Sequence, residues 1–141
     1  MIQKILTVCA AIALAAPAFA EGDAEKGEKE FKKCKSCHAI ASEDETIVKG
    51  GRTGPNLYGI PGRAAGTVEG FRYSGLVVTA GEGGLVWDEA SFIGFVQDPS
   101  AYLKDLTGES GRSKMTFKVR KEEAAMNLWA YLVSVSPAPE N

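Results

Sequence analysis

The sequence predicts an all-α domain of short helices joined by ordered loops. Three observations carry this: a segment near each end whose apolar residues recur at helical spacing, a middle segment of the same kind bracketed by Asp88 and Pro99, and glycine-rich stretches without the alternation that marks strands.

The first residues form a separate unit. Lys4 is followed by an apolar run from Ile5 to Ala16 and then by Pro17-Ala18-Phe19-Ala20, with small residues where a signal peptidase needs them. The run is shorter than the roughly 20 residues that span a bilayer and ends at a helix-breaking proline. Residues 1–20 are therefore expected to be a signal peptide cut after Ala20, residues 21–141 one domain, and the destination the periplasm. The 16 basic and 18 acidic residues of the whole chain become 15 and 18 once Lys4 is removed, a net charge of about −3. That balance argues against nucleic acid as a partner. Cys9 leaves with the same segment, so only Cys34 and Cys37 remain. Two cysteines so close cannot staple distant parts of a fold. A small glycine-rich chain has limited apolar surface of its own, and a buried macrocycle would complete its core.

Asp23 is a favourable N-cap for a helix over residues 24–35, which puts Ala24, Gly27, Phe31 and Cys34 on one face and delivers Cys34 at its end. At the other terminus, residues 121–135 align Ala125, Leu128, Trp129 and Leu132 in one stripe. Gly27 permits close approach of a second helix, and this terminal helix is the expected partner. Asp88 caps a middle helix in which Phe92, Ile93 and Val96 share a face; it must stop near Asp98, before Pro99. Pro99 opens a further short helix through Leu103. Residues 50–70 and 81–84 read as ordered loops. No repeat and no nucleotide-binding glycine motif is present.

Cys34-Lys35-Ser36-Cys37-His38 has the C-x-x-C-H form. Its two thiols are spaced to add across the two vinyl groups of one haem, and its histidine stands where the ring reaches the iron. Zinc would need four ligands, and beyond this motif residues 21–141 contain no other cysteine or histidine. A thioredoxin-like pair would sit beside a βαβ pattern, which is missing here. The predicted domain is thus helices and loops wrapped around one covalently attached haem c. His38 needs an acceptor for its second ring nitrogen, and the carbonyl of Pro55 in the Gly54-Pro55-Asn56 turn is the candidate.

The sixth ligand decides between a reactive, gas-binding iron and one that only changes oxidation state. Lysines aside, Met115 and Met126 are the candidates. Met126 lies off the stripe of the terminal helix and reads best as an ordinary helix residue. Met115, in Ser113-Lys114-Met115-Thr116-Phe117, follows an open loop from which a side chain can be aimed inward; the residues alone leave it balanced between core filler and ligand.

The ordered set of motifs resembles the class I cytochromes c, most closely the bacterial cytochrome c2 group, over essentially all of residues 21–141. It comprises Gly22-Asp23 with Phe31, the C-x-x-C-H pentapeptide, Arg52-Thr53-Gly54-Pro55-Asn56-Leu57-Tyr58-Gly59, Gly62-Arg63 and Gly70-Phe71-Arg72-Tyr73. Trp87, Lys114-Met115-Thr116-Phe117 and Leu128-Trp129-Ala130-Tyr131-Leu132 complete it. The resemblance implies the small cytochrome c fold, Met115 as axial ligand opposite His38, and Pro55 as acceptor of the histidine N–H. It further implies that Arg63, Tyr73 and Trp87 hydrogen-bond the haem propionates, and that Gly27 and Phe31 pack against Leu128 and Tyr131. Buried carboxylates need such donors.

The activity implied is one-electron transport by a monomer, not enzymatic turnover. A quinol-oxidising cytochrome bc complex would be the donor and a terminal oxidase or a photosynthetic reaction centre the acceptor. Lys32, Lys33, Lys35, Lys49, Lys114, Lys118, Arg120 and Lys121 are expected near the haem edge as a basic ring for an acidic partner. Three departures stand out. Phe95 replaces a tyrosine common near the methionine ligand, residues 105–112 form a longer loop than in mitochondrial members, and Ser100 and Ala101 stand where those members carry lysines.

Overall fold

A computed structural model describes residues 21–138. The expected signal peptide, with Cys9, and the last three residues of the expected domain lie outside the described residues. The elements run α1 (Ala24–Phe31), β1 (Ile40–Ala41), β2 (Thr46–Val48), α2 (Gly75–Glu82), α3 (Glu89–Gln97), α4 (Pro99–Thr107) and α5 (Glu122–Val135). No helix among the described residues is long and apolar enough to cross a membrane.

Helices α1 and α5 cross at Gly27. A β-carbon there would overlap the carbonyl of Asn127 and Cβ of Tyr131, so only glycine lets the two backbones meet. Beside the crossing, the rings of Phe31 and Tyr131 lie 5.7 Å apart. Asp23 caps α1 by accepting from the backbone N–H groups of Glu25 and Lys26 at 2.9 and 3.1 Å. Its own N–H donates to Oδ1 of the buried Asn127 at 2.8 Å, tying the first turn to the last helix. The predicted stripe of α5 is buried throughout: Ala125, Leu128, Trp129 and Leu132. A side chain such as Leu132, buried this completely, contributes roughly 1.5–3 kcal/mol through removal from water.

Helix α3 is capped reciprocally: Oδ1 of Asp88 accepts from the N–H of Ser91 at 2.8 Å, and Oγ of Ser91 accepts from the N–H of Asp88 at 2.9 Å. Phe92 packs on Trp129 of α5 with ring centroids 5.3 Å apart. Asp98 ends α3 and caps α4, and Pro99 occupies the first turn of α4 as expected.

Three helix boundaries need correction. Helix α1 ends at Phe31 rather than residue 35; residues 32–37 continue as tight turns, with Cys34 and Lys35 N–H groups both donating to Phe31 O. Helix α2 occupies residues expected to begin a loop at Gly81; its stop is Gly83. Helix α4 runs a turn beyond Leu103 and closes at Gly108, whose φ of 70° is the left-handed value glycine adopts freely. The antiparallel ribbon β1–β2, pairing Ile40 with Val48 and Ala41 with Thr46, adds a short strand element to the mainly helical fold.

Candidate functional site

The turns after α1 are clamped by the loop that follows β2. The N–H of Gly51 donates to Lys35 O and that of Gly54 to Cys37 O, each at 2.9 Å. β-Carbons at Gly50 and Gly51 would collide with the carbonyls of His38 and Ser36, and one at Gly54 would collide with the His38 ring. Glycine at these positions lets the loop lie directly on the Cys34–His38 backbone. Asn56 locks the far side: its amide donates to Ala41 O at 2.7 Å while its Oδ1 accepts from the N–H groups of Ala41 and Tyr58 at 3.1 Å. Neither Gly54 nor Asn56 was singled out as a site residue from the sequence, although both fall in the glycine-rich motif.

Nδ1 of His38 donates to Pro55 O at 2.7 Å, the contact expected of the pair. A carbonyl can only accept, so the proton sits on Nδ1 and the lone pair of Nε2 is free for a metal. Burial lowers the His38 pKa and outweighs the opposing effect of the Pro55 bond, keeping the ring in its neutral, ligating form. Burial also pushes the Cys34 thiol up to about 11, the reverse of the lowered value a disulfide-exchanging thiol requires.

Cys34, Cys37 and His38 form one wall of a cavity of about 290 Å³. Pro55, Arg63, Tyr73, Trp87 and Met115, the remaining residues singled out from the sequence, line the same cavity. Its floor is apolar, with Leu57, Phe92, Val96, Leu128 and Leu132 drawn from the middle of the chain and from α5. Met126 lies elsewhere on α5, its carbonyl packed under Gly22. Phe95 meets Trp87 edge-on at 5.1 Å between ring centroids, so the expected tyrosine position is filled by an apolar ring.

Arg63 donates through Nη1 to Tyr58 O and through Nη2 to Asn56 O, both at 3.1 Å. Among the described residues no carboxylate pairs with this half-buried guanidinium, although burial lowers its pKa. Tyr73 accepts from the N–H of Val68 at 3.1 Å, which leaves its hydroxyl proton available to another acceptor. A cavity with two thiols and an imidazole on one wall, a thioether on another, and a cation without a counter-charge fits an apolar macrocycle that carries carboxylates and iron.

The chain is 53% identical over 138 residues to cytochrome c-551 of Roseobacter denitrificans, covering 96% of this chain and 97% of that protein. It belongs to the cytochrome c2 group of class I cytochromes c. Cytochrome c2 of Cereibacter sphaeroides is 48% identical over 141 residues, covering 96% of this chain and 97% of its own length. Among solved structures, cytochrome c2 of Rhodobacter sphaeroides superposes with a TM-score of 0.81 at 47% identity, covering 84% of this chain and all of that one. Ferric cytochrome c-550 of Paracoccus versutus gives a TM-score of 0.78 at 48% identity, with 83% and 100% covered. No family model matches the chain. Cytochromes c2 are electron-transfer proteins, not enzymes, that carry one covalently bound haem c. Cys34 and Cys37 supply the thiol spacing for its attachment here.

The expected basic ring is less uniform than the residue types suggest. Lys33 pairs with Glu30 at 2.8 Å and Lys118 with Asp98 at 2.7 Å, while Lys114 donates to the carbonyl of Arg72. Lys33 and Lys114 reach the cavity rim. Lys32 and Lys35 line a separate groove between α1, β2 and α5.

Proposed function

We propose that this cytochrome is a periplasmic one-electron shuttle. It takes electrons from a quinol-oxidising cytochrome bc complex and delivers them to a terminal oxidase or a photosynthetic reaction centre. Residues 1–20 act as the export signal, cut after Ala20, and residues 21–141 are the working domain, a monomer. The single observation that carries the reading is the convergence on one cavity of Cys34, Cys37, His38, Pro55, Arg63, Tyr73, Trp87 and Met115.

The haem supplies the iron that changes oxidation state. Cys34 and Cys37 would hold it by thioether bonds, and His38 would ligate its iron through Nε2, its ring fixed by the Pro55 carbonyl and by Gly54 packed on its face. Met115 would offer its sulfur as a second ligand. Held by both side chains, the iron would have no position for a substrate. Arg63, Tyr73 and the indole N–H of Trp87 serve the propionates. Apolar walls exclude water and, with the thioether ligand, favour the ferrous state, raising the potential toward the range of an acceptor for quinol-derived electrons. The exposed lysines at the rim, Lys33 and Lys114, draw the carrier to acidic partners over a small, salt-sensitive interface.

Spectroelectrochemical titration of the purified holoprotein tests this. A weak far-red sulfur-to-iron band in the oxidised state, lost in Met115→Ala while haem stays attached, is the expected result. High-spin features or ready carbon monoxide binding in the parent would point to an open iron and defeat the carrier. A denaturing gel without haem stain would defeat covalent attachment.

A further inference from the structure

The segment bearing Met115 is fastened at two flanks, and both flanks meet one corner of the fold. Upstream, the N–H of Ser113 donates to Oγ of Ser100 at 2.9 Å, and Oγ of Ser113 accepts from the N–H of Met115 at 3.1 Å. Downstream, Nζ of Lys118 donates to Oδ2 of Asp98 at 2.7 Å and the N–H of Val119 to Val96 O at 2.8 Å. Asp98 is the hinge between α3 and α4: its Oδ1 accepts from the N–H of Ala101 at 3.2 Å, so one carboxylate caps α4 and holds the downstream flank. Ser100 follows in the first turn of α4. Between the flanks, residues 114–117 make no backbone–backbone hydrogen bond among the described residues. Lys114, Thr116 and Phe117 are exposed where they border the cavity, and Met115 between them is half-buried.

We propose that Ser100 and Lys118 are positioning residues that hold the Met115 segment closed over the cavity from its two sides. The proposal rests on Met115 being an axial ligand. A segment without a ladder of its own opens with the free energy of its fastenings, independently of global unfolding. A small molecule that binds the metal can enter only when the segment is open, so its apparent affinity rises with the open fraction. The part-buried serine hydrogen bonds should matter more than the exposed ion pair, because surface pairs are weak.

The test uses ferric holoprotein titrated with imidazole and followed by the far-red band, with a denaturant midpoint for each variant. Ser100→Ala should raise imidazole affinity about fivefold, Lys118→Gln about twofold, and the two together about tenfold. Ser100→Thr, which keeps the hydroxyl, should return to the parent value. Parent-like affinity in the double variant, failure of Ser100→Thr to rescue, or a gain clearly smaller than the fall in global stability would overturn the proposal. If Met115→Ala keeps the band, the ligand assignment itself fails, and the proposal with it. Amide exchange in the unaltered holoprotein keeps the question answerable should a variant not assemble. Ser113 and Met115 N–H groups should exchange together in one opening below the global one, and protection equal to the global value overturns the clasp.

Discussion

Gly54 lies against the face of the His38 imidazole, so close that a β-carbon would sit 2.7 Å from each ring nitrogen. The ring is thus held by a carbonyl at its edge and by bare backbone on its face. Gly54→Ala should push the ring off its bond to Pro55 and cost about 1–3 kcal/mol by overpacking. Chemical denaturation of the holoprotein checks the stability, and the yield of low-spin haem checks the ligand geometry.

Gly27→Ala tests the crossing of α1 and α5. The added methyl meets backbone at Asn127, which cannot swing away as a side-chain tip could, so the helices must separate. A loss near the upper end of the overpacking range, about 3 kcal/mol, is expected. A denaturation midpoint equal to the parent's would show that the helices slide without penalty.

Among the described residues Arg63 has no carboxylate partner, so its charge is directed to whatever anion shares the cavity. Removing that positive charge in Arg63→Gln should favour the oxidised, more positive centre and lower the reduction potential. A shift of up to about 60 mV corresponds to ~1.4 kcal/mol for one electron. Spectroelectrochemistry at fixed ionic strength measures it.

Hydrogen bonding to Ser91 depresses the Asp88 carboxyl below its ordinary value, the backbone bond contributing most. A group depressed on folding stabilises the native state fully above its unfolded pKa, about 3.9, and loses that contribution as pH falls through the lower folded value. Asp88→Ala should cost about 1 kcal/mol at neutral pH through loss of the cap. Below about pH 4 its stability should fall less steeply than the parent's. Parallel pH curves would contradict this.

The site was more legible in the sequence than the helices around it. The attachment pentapeptide announces its chemistry because each residue type has one role at one spacing, and its partners appear in a fixed order along the chain. Local periodicity served α3 and α5 well, since each has a cap or breaker beside a clear apolar face. It failed for α2, where Gly75, Val77, Val78 and Thr79 are weak helix formers and no polar face is set against an apolar one. The usable signal was Ser74, whose Oγ accepts from the N–H of Val77. It also overran α1, because the spacing that puts Cys34 on the Phe31 face continues through the turns. The flanking bonds of the Met115 segment were invisible, since they join Asp98 and Ser100 to residues far along the chain through geometry that no local pattern encodes.

Because α5 closes against α1, the walls around Cys34 and Cys37 are made partly from residues that follow them far along the chain, Leu128 and Leu132. A polypeptide delivered amino end first presents both thiols long before Leu128 and Leu132 exist to cover them. During that interval a flat, bulky ring can be fastened to the segment in the open. The order of the chain itself thus permits attachment to precede burial, with α5 sealing the bond away afterwards.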